Sequence, residues 1–244
     1  MENIDFDSTY AVDMHCESCT KDIENCLKNV DGIKSVSFDL NDKLMNVKGH
    51  AAPSAIINAL QECGRESIIR GTGKPNSAAV SILEEHDSSN TSGVNPVLGL
   101  ARIVEVADKK TFFDININGV KKPGLYYASV RSSGDLTDGV KSSGDALYKL
   151  DTPIDCSKPS DSIPNTYSGN AFILAPYHVW EILGRSFVVT SNPEHKVTGA
   201  DDISVGGVIA RSAGAWENTK QVCACSGKTL WQERKDAIQH NIRF

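Results

Sequence analysis

The sequence predicts a multidomain protein with an α+β domain, an all-β domain and a short, flexible tail that contains a helix. Three observations support this prediction. Residues 1–72 alternate between strand and helix periodicity, residues 73–216 carry strand-like segments separated by turn residues, and residues 217–244 return to helix periodicity. We therefore expect domain boundaries at these positions, with the Gly- and Pro-containing stretch 71–77 as the first linker.

The first domain opens with a strand and a helix. Tyr10, Val12 and Met14 alternate along the chain and share one face of a strand. The apolar residues that follow recur every three or four positions, which predicts a helix with a single buried stripe. This stripe consists of Cys19, Ile23, Cys26, Leu27 and Val30.

A hairpin, a second helix and a last strand complete this domain. Alternating residues on both sides of the Asn41-Asp42 turn predict two paired strands. Pro53 opens a helix that Gly64 ends, and residues 67–70 form the final strand. The order is βαββαβ, which predicts a ferredoxin-like sandwich of two helices on a four-stranded sheet.

The central region is β-rich throughout. Its strand-like segments are residues 98–106, 111–117, 125–130, 186–190 and 205–210, separated by Gly, Asn, Asp, Ser and Pro. This pattern predicts a β-barrel or sandwich, in which the polar stretches 84–95 and 151–168 are loops. In the tail, Thr229 and Gln232 have the spacing of a capping box, which predicts a short helix from Thr229.

Composition excludes several classes of function. The net charge of −6 argues against nucleic-acid binding, which requires clustered Lys and Arg. The sequence contains no long apolar run and begins with acidic residues, so we expect neither membrane insertion nor export and predict a cytoplasmic location. Seven cysteines in such a chain favour metal or redox chemistry over a closed disulfide framework.

Cys16 and Cys19 form a CxxC motif where the first strand meets the first helix. A helix N-terminus favours the thiolate, and soft thiolates select soft ions. Two cysteines undersupply a tetrahedral zinc site, whereas Cu(I) tolerates low coordination. We therefore predict Cu(I) binding by this pair, with a thioredoxin-like redox pair or two inert cysteines as the alternatives.

The other cysteines have less specific signals. Cys26 and Cys63 lie on the apolar faces of two helices on the same side of the sheet, where they form a disulfide or remain buried thiols. Cys223 and Cys225 form a CxC motif that can present two thiolates to Cu(I) or close a readily reduced disulfide, or else remain unpaired. Cys156 receives no assigned role.

Two resemblances follow from these motifs. The MxCxxC sequence resembles the heavy-metal-associated domain of copper chaperones and copper-pumping ATPases, and residues 184–189 and 207–209 resemble copper/zinc superoxide dismutase. The dismutase's metal-binding histidines align with Ser129, Arg131, Ala146 and Thr190, and its disulfide cysteines with Val140 and Gly206. The resemblance therefore implies a retained fold without dismutase activity or zinc.

The whole chain resembles the family of copper chaperones for superoxide dismutase, in its fungal form. This resemblance implies a non-enzyme that delivers Cu(I) to copper/zinc superoxide dismutase in a heterodimer, with a homodimer as a further association. It implies transfer or thiol exchange through Cys223 and Cys225, and a target interface containing Gly184, Val208 and Arg211. A thiol or copper redox sensor and an active dismutase are the alternative functions.

Overall fold

The computed structural model of the chain describes residues 3–86, 95–197, 203–222, 225–240 and 242. The chain divides into two compact units. The first contains residues 1–78, 104–108 and 212–236, and the second contains residues 79–103, 109–211 and 237–244. The segment that begins at Ser212 therefore packs with the amino-terminal domain. The division into segments 1–72, 73–216 and 217–244 stays a prediction.

The first unit contains a four-stranded antiparallel sheet and two helices. Its elements are β1 (Phe6–Val12), α1 (Glu17–Leu27), β2 (Ile33–Asp39), β3 (Leu44–Gly49), α2 (Pro53–Glu62) and β4 (Ser67–Thr72). The strand order is β2-β3-β1-β4, so β1 lies between β3 and β4. The predicted βαββαβ order is confirmed.

Local residues explain these elements. Pro53 occupies the first turn of α2, where its missing N–H costs no helical hydrogen bond. Gly64 follows α2 with φ +73°, in the left-handed region that a residue without Cβ adopts easily. Tyr10, Met14 and Ile23 are fully buried between the sheet and the helices, as their periodicity predicts.

The second unit is an antiparallel β domain. Its strands are β5 (Ala78–Glu84), β6 (Val97–Ala107), β7 (Lys110–Val120), β8 (Leu125–Arg131), β9 (Thr137–Val140), β10 (Ala146–Lys149), β11 (Ile154–Asp155), β12 (Lys158–Pro159), β13 (Tyr167–Ala175), β14 (Ser186–Thr190), β15 (Ser204–Val208) and β16 (Ala210–Arg211). Ala78 of β5 and the last four residues of β6 are counted with the first unit. Helix α3 (Val179–Ile182) precedes β14. The order β10-β8-β14-β15-β5-β6-β7-β13-β12 places strands distant in sequence side by side, and β11 pairs with β8 and β16 with β5. The predicted fold class, α+β followed by all-β, is confirmed.

Two predictions for this unit need correction. The polar stretch 151–168 is not only a loop, because it contains β11 and β12, and Ile154 and Cys156 within it are fully buried. The sequence pattern also missed β13, although it pairs with β7 over nearly its whole length. Gly169 and Asn170 are residue types depleted in strands, and residues 171–175 are all apolar, so the segment lacks the alternation that identifies a strand.

The last helix, α4, extends over Leu230–Gln239. The Thr229 N–H donates to Gln232 Oε1 at 2.8 Å and the Gln232 N–H donates to Thr229 Oγ1 at 3.3 Å, so the predicted capping box is present. Among the residues that the structure describes, no helix combines the length and apolarity needed to cross a membrane.

Candidate metal centre

Cys16 and Cys19 lie at the start of α1, on a turn that follows a residue anchored in the core. Met14, two residues before Cys16, is fully buried and fixes the end of the first strand to the core. Cys16 precedes the helix with an extended backbone, and its carbonyl oxygen accepts the Cys19 N–H at 3.0 Å. This first helical turn directs both thiols to the same place.

The two sulfur atoms are 3.8 Å apart, and both cysteines are free thiols. Cys16 is exposed and Cys19 is half-buried. Because the sulfurs converge at the surface, an incoming ion or a partner's thiol can reach both without rearrangement of the fold. The predicted CxxC pair is therefore brought together by the structure.

Ser18 activates the Cys16 thiol. Its hydroxyl lies 2.9 Å from the Cys16 sulfur and, together with the thiol and N–H of Cys19, lowers the pKa of Cys16 from 9.0 to about 7. These donors lower the pKa because their hydrogen bonds stabilise the thiolate. Burial, which would raise the pKa, contributes little because the sulfur is exposed. Sequence reasoning missed Ser18, although a hydroxyl residue between the two cysteines in the first helical turn was a readable signal.

The charged residues beside the thiols bind one another. The Lys43 ammonium lies 2.8 Å from Asp13 and His15 lies 3.3 Å from the same carboxylate. The hydrogen bond from Lys43 holds the pKa of Asp13 below its ordinary value. Across the described part of the chain, no group of three or more His, Cys, Asp and Glu side chains could hold a metal ion. The thiol pair therefore offers a two-ligand site.

Cys26 and Cys63 are joined by a disulfide that closes a loop of 37 residues. Cys26 lies on α1, and Cys63 immediately follows α2. Of the two possibilities left open by the sequence, the structure contains the bridge. It ties the ends of both helices together on the side of the sheet that they cover.

The remaining cysteines differ in exposure. Cys225 is an exposed free thiol, and its partner in the CxC motif, Cys223, lies outside the described residues. Cys156 is fully buried in the core of the second unit, where burial raises the pKa of its thiol to about 12. Cys156 is therefore a small core residue, whereas Cys225 is accessible to a partner.

An arginine fills the region where the dismutase ligands would align. Ser129 and Arg131 lie on β8, and Ala146 on β10 is directly paired with Arg131. The buried Arg131 guanidinium donates to the carbonyl oxygen of His195 at 2.9 Å and to that of Gly144. A fixed positive charge in this position supports the loops and repels a cation.

The predicted interface residues lie on or beside the neighbouring strands β15 and β16 of the second unit. The Gly184 N–H donates to the Ile209 carbonyl oxygen at 2.9 Å, which places Gly184 beside the end of β15. Val208 is 43% exposed, and the β5–β15 register places it opposite Ile82, which is 51% exposed. Ile82, missed by sequence reasoning, therefore forms an exposed apolar pair with Val208, and Arg211 on β16 pairs with Ala79 farther along β5.

Comparison with known proteins agrees with this arrangement. Residues 9–66 match the heavy-metal-associated domain. Proteins named superoxide dismutase 1 copper chaperone match nearly the whole chain: that of Kluyveromyces lactis is 73% identical over 98% of this chain and 97% of its own length, and that of Saccharomyces cerevisiae is 50% identical over 99% of both. The human protein named copper chaperone for superoxide dismutase is 30% identical over 92% of this chain and 88% of its own length.

A pair of free thiols 3.8 Å apart on a ferredoxin-like, heavy-metal-associated domain is the arrangement of a metal-carrying protein. The full-length matches specify the family. The chain belongs to the copper chaperones for superoxide dismutase, as the resemblance in its motifs indicates.

Proposed function

We propose that the chain carries Cu(I) on Cys16 and Cys19 and delivers it to copper/zinc superoxide dismutase. The observation that supports this most directly is the pair of free sulfurs 3.8 Å apart, one with a pKa near neutrality. At neutral pH a substantial fraction of Cys16 is already thiolate, so little proton release opposes binding. Cu(I) accepts two soft ligands, and an exposed ion with open coordination passes readily to a new thiolate.

The second unit serves as the docking domain in this proposal, and it binds no zinc. Arg131 places a buried cation at a position where copper/zinc superoxide dismutase has a metal-binding histidine. The hydrogen bonds from the Arg131 guanidinium to two carbonyl oxygens hold this cation in place. Copper is cargo and not a resident cofactor, and the chain acts without dismutase turnover. An active dismutase would need imidazoles at Ser129, Arg131, Ala146 and Thr190.

The target binds through the surface that contains Gly184, Val208 and Arg211. Dismutase dimers use a self-complementary surface, so a chain that retains one copy of it can replace a subunit. The exposed Val208 and Ile82 support this docking, because adjacent apolar side chains exposed on the outer face of a sheet favour a partner. The same surface allows a homodimer of this chain, which would compete with the heterodimer.

The tail completes delivery through Cys223 and Cys225. Two thiolates can accept Cu(I) from the CxxC pair without any change in oxidation state. If the tail cysteines are first oxidised to a disulfide, two target thiols can reduce it, which leaves two tail thiols and a target disulfide. Free thiols that carry Cu(I) need a reducing compartment, and we therefore place this function in the cytoplasm.

Activation of apo-dismutase tests the proposal. The full-length protein, loaded with Cu(I), is mixed with zinc-loaded apo-dismutase in the presence of excess Cu(I) chelator. We expect activation by the wild-type chain and none by the Cys16→Ser/Cys19→Ser variant, because this variant lacks the thiol pair that holds Cu(I) against the chelator and supplies it to the tail. Cys156→Ala, which removes a buried thiol, is the matched control and should activate normally. Copper retention without activation by the wild type would instead support a store or sensor.

A second experiment tests docking. Val208→Asp places a charge in the proposed interface, and Leu147→Asp places one at an equally exposed position on β10, since both side chains are 43% exposed. We expect heterodimer formation, measured by analytical ultracentrifugation with apo-dismutase, to be lost in the first variant and retained in the second. Equal binding by both would refute this interface.

A further inference from the structure

One face of the first sheet is polar but does not face solvent. Thr9, Asn46 and Arg70 on β1, β3 and β4 are all buried. The Thr9 hydroxyl donates to Asn46 Oδ1 at 3.1 Å, and Asn46 donates to Asp7 Oδ1 at 3.1 Å. In a domain of this topology the helices cover only the other face, so something else must bury these groups.

The carboxyl-terminal segment that follows Ser212 lies along this polar face. Two backbone hydrogen bonds attach it, Thr72 N–H to Ala213 O at 3.1 Å and Ala215 N–H to Gly73 O at 2.9 Å, and the Trp216 N–H donates to the Thr9 side-chain Oγ1 at 3.1 Å. The approach is so close that a Cβ on Gly71 would lie 1.9 Å from the Gly214 carbonyl oxygen. We call residues 212–220 the strap.

Arg70 holds the end of the strap. Its guanidinium donates to the Asn218 carbonyl oxygen at 3.1 Å, to Asn218 Oδ1 at 3.0 Å and to the Lys220 carbonyl oxygen. Arg70 is only 8% exposed, and hydrogen bonds to these three acceptors offset the free-energy cost of burying its charge. A planar fork with five N–H donors can bind all three acceptors at once, which a lysine ammonium cannot do in the same geometry.

The chain beyond the strap is also tied to the first unit. The Leu230 N–H donates to the Gln221 carbonyl oxygen at 2.9 Å, and Val222 pairs with Thr229, so residues 221–222 are joined to the start of α4. On α4, Arg234 Nε donates to Glu66 Oε2 at 3.2 Å, with Arg234 mostly buried. Attachments therefore lie on both sides of the tail cysteines.

We infer that Arg70 is a positioning residue for the tail, which it fastens to the copper-binding domain just ahead of the CxC motif. This inference rests on the proposed function, which assigns the copper transfer to Cys16, Cys19 and the tail cysteines. Because both thiol pairs belong to one chain, transfer between them is intramolecular, and fastening the strap raises their effective concentration by shortening the free part of the tail. Releasing the strap slows this transfer while leaving the docking domain intact.

Arg70→Lys tests this role in the full-length chain, since it retains the charge and removes the fork. We expect the amides of Ala215 and Trp216 to exchange with deuterium about tenfold faster, while the Val12 amide, bonded to Lys43 O within the domain, is unchanged. Asn218→Ala removes one acceptor without changing the copper-binding domain. It should also speed the exchange of the Ala215 and Trp216 amides, but by less than Arg70→Lys does.

Dismutase activation separates positioning from folding. Normalised to folded protein, Arg70→Lys should lower the maximal activation rate about fivefold at an unchanged half-saturating target concentration. Arg131→Lys is the matched control, because it removes another buried guanidinium that binds two carbonyls but lies in the second unit. Its normalised rate should equal the wild-type rate.

The outcomes distinguish this inference from the function on which it rests. Unchanged exchange at Ala215 and Trp216, or faster exchange with an unchanged activation rate, would refute the role of Arg70 alone. Failure of the wild-type chain to activate dismutase would refute the proposed function, and the positioning role with it. Faster exchange together with a lower maximal rate supports both.

Discussion

Removal of the Cys26–Cys63 disulfide should destabilise the first unit by about 4 kcal/mol. The bridge joins residues 37 positions apart, and in the chain-entropy model a closed loop of this length lowers the entropy of the unfolded chain by roughly 13 cal/mol/K, or about 4 kcal/mol at 25 °C. Cys63 lies at the surface and Cys26 is half-buried, so a Cys26→Ser/Cys63→Ser variant loses little packing. Nearly all of the effect should therefore come from the cross-link.

Native-state hydrogen exchange measures this effect in the full-length chain. The slowest amides of β1 and β3 report the free energy of unfolding of the first unit, and those of β7 and β13 in the second unit provide an internal reference. We expect the loss in the first unit only. The reduced wild-type protein controls for the serine substitutions and should match the double variant. Equal stability of the oxidised and reduced wild type in β1 and β3 would refute the reasoning.

Three further predictions concern single residues. Alkylation of Cys16 by iodoacetamide should be half-maximal near pH 7, and Ser18→Ala should move this midpoint toward pH 9, since the thiolate loses its main hydrogen-bond donor. An unchanged midpoint would show that Ser18 does not lower the pKa of Cys16. Arg131→Met should destabilise the second unit by about 2 kcal/mol in urea unfolding, because two buried carbonyls lose a charged donor; a neutral result would make the guanidinium dispensable. Gly207→Ala should disrupt β5–β15 pairing, since its Cβ would lie 1.8 Å from the Ile82 carbonyl oxygen; unchanged amide protection in β5 would contradict this.

Much of the candidate site was predictable because it depends on local sequence. The CxxC spacing, the strand that ends near Met14 and the helix that follows place two thiols in one helical turn, and the structure shows them 3.8 Å apart. The second helix was equally readable, since Pro53 and Gly64 act through their own backbone preferences. Such signals involve residues only a few positions apart, and tertiary packing reinforces them.

Other parts of the site could not be predicted because they depend on distant residues. The alternating pattern of β1 and β3 makes Thr9 and Asn46 look exposed, yet both are buried, since the strap returns from more than 200 residues away to bind Thr9. Nothing in the short window around Arg70 indicates that its acceptors are Asn218 and Lys220. Periodicity reports only which face is apolar, and it does not report what covers a polar face.

The sequence by itself determined the class of the protein, the two-thiol site and the loss of dismutase ligands. Each of these depends only on which residues are present and on their spacing along the chain. Only the tertiary structure decided that Cys26 and Cys63 are bonded, that Cys156 is core, and that the tail is fastened to the copper-binding domain through Arg70. The physical reason is that disulfides, burial and charged hydrogen bonds require atoms to meet in space. Which distant residues meet is decided by how the whole chain packs.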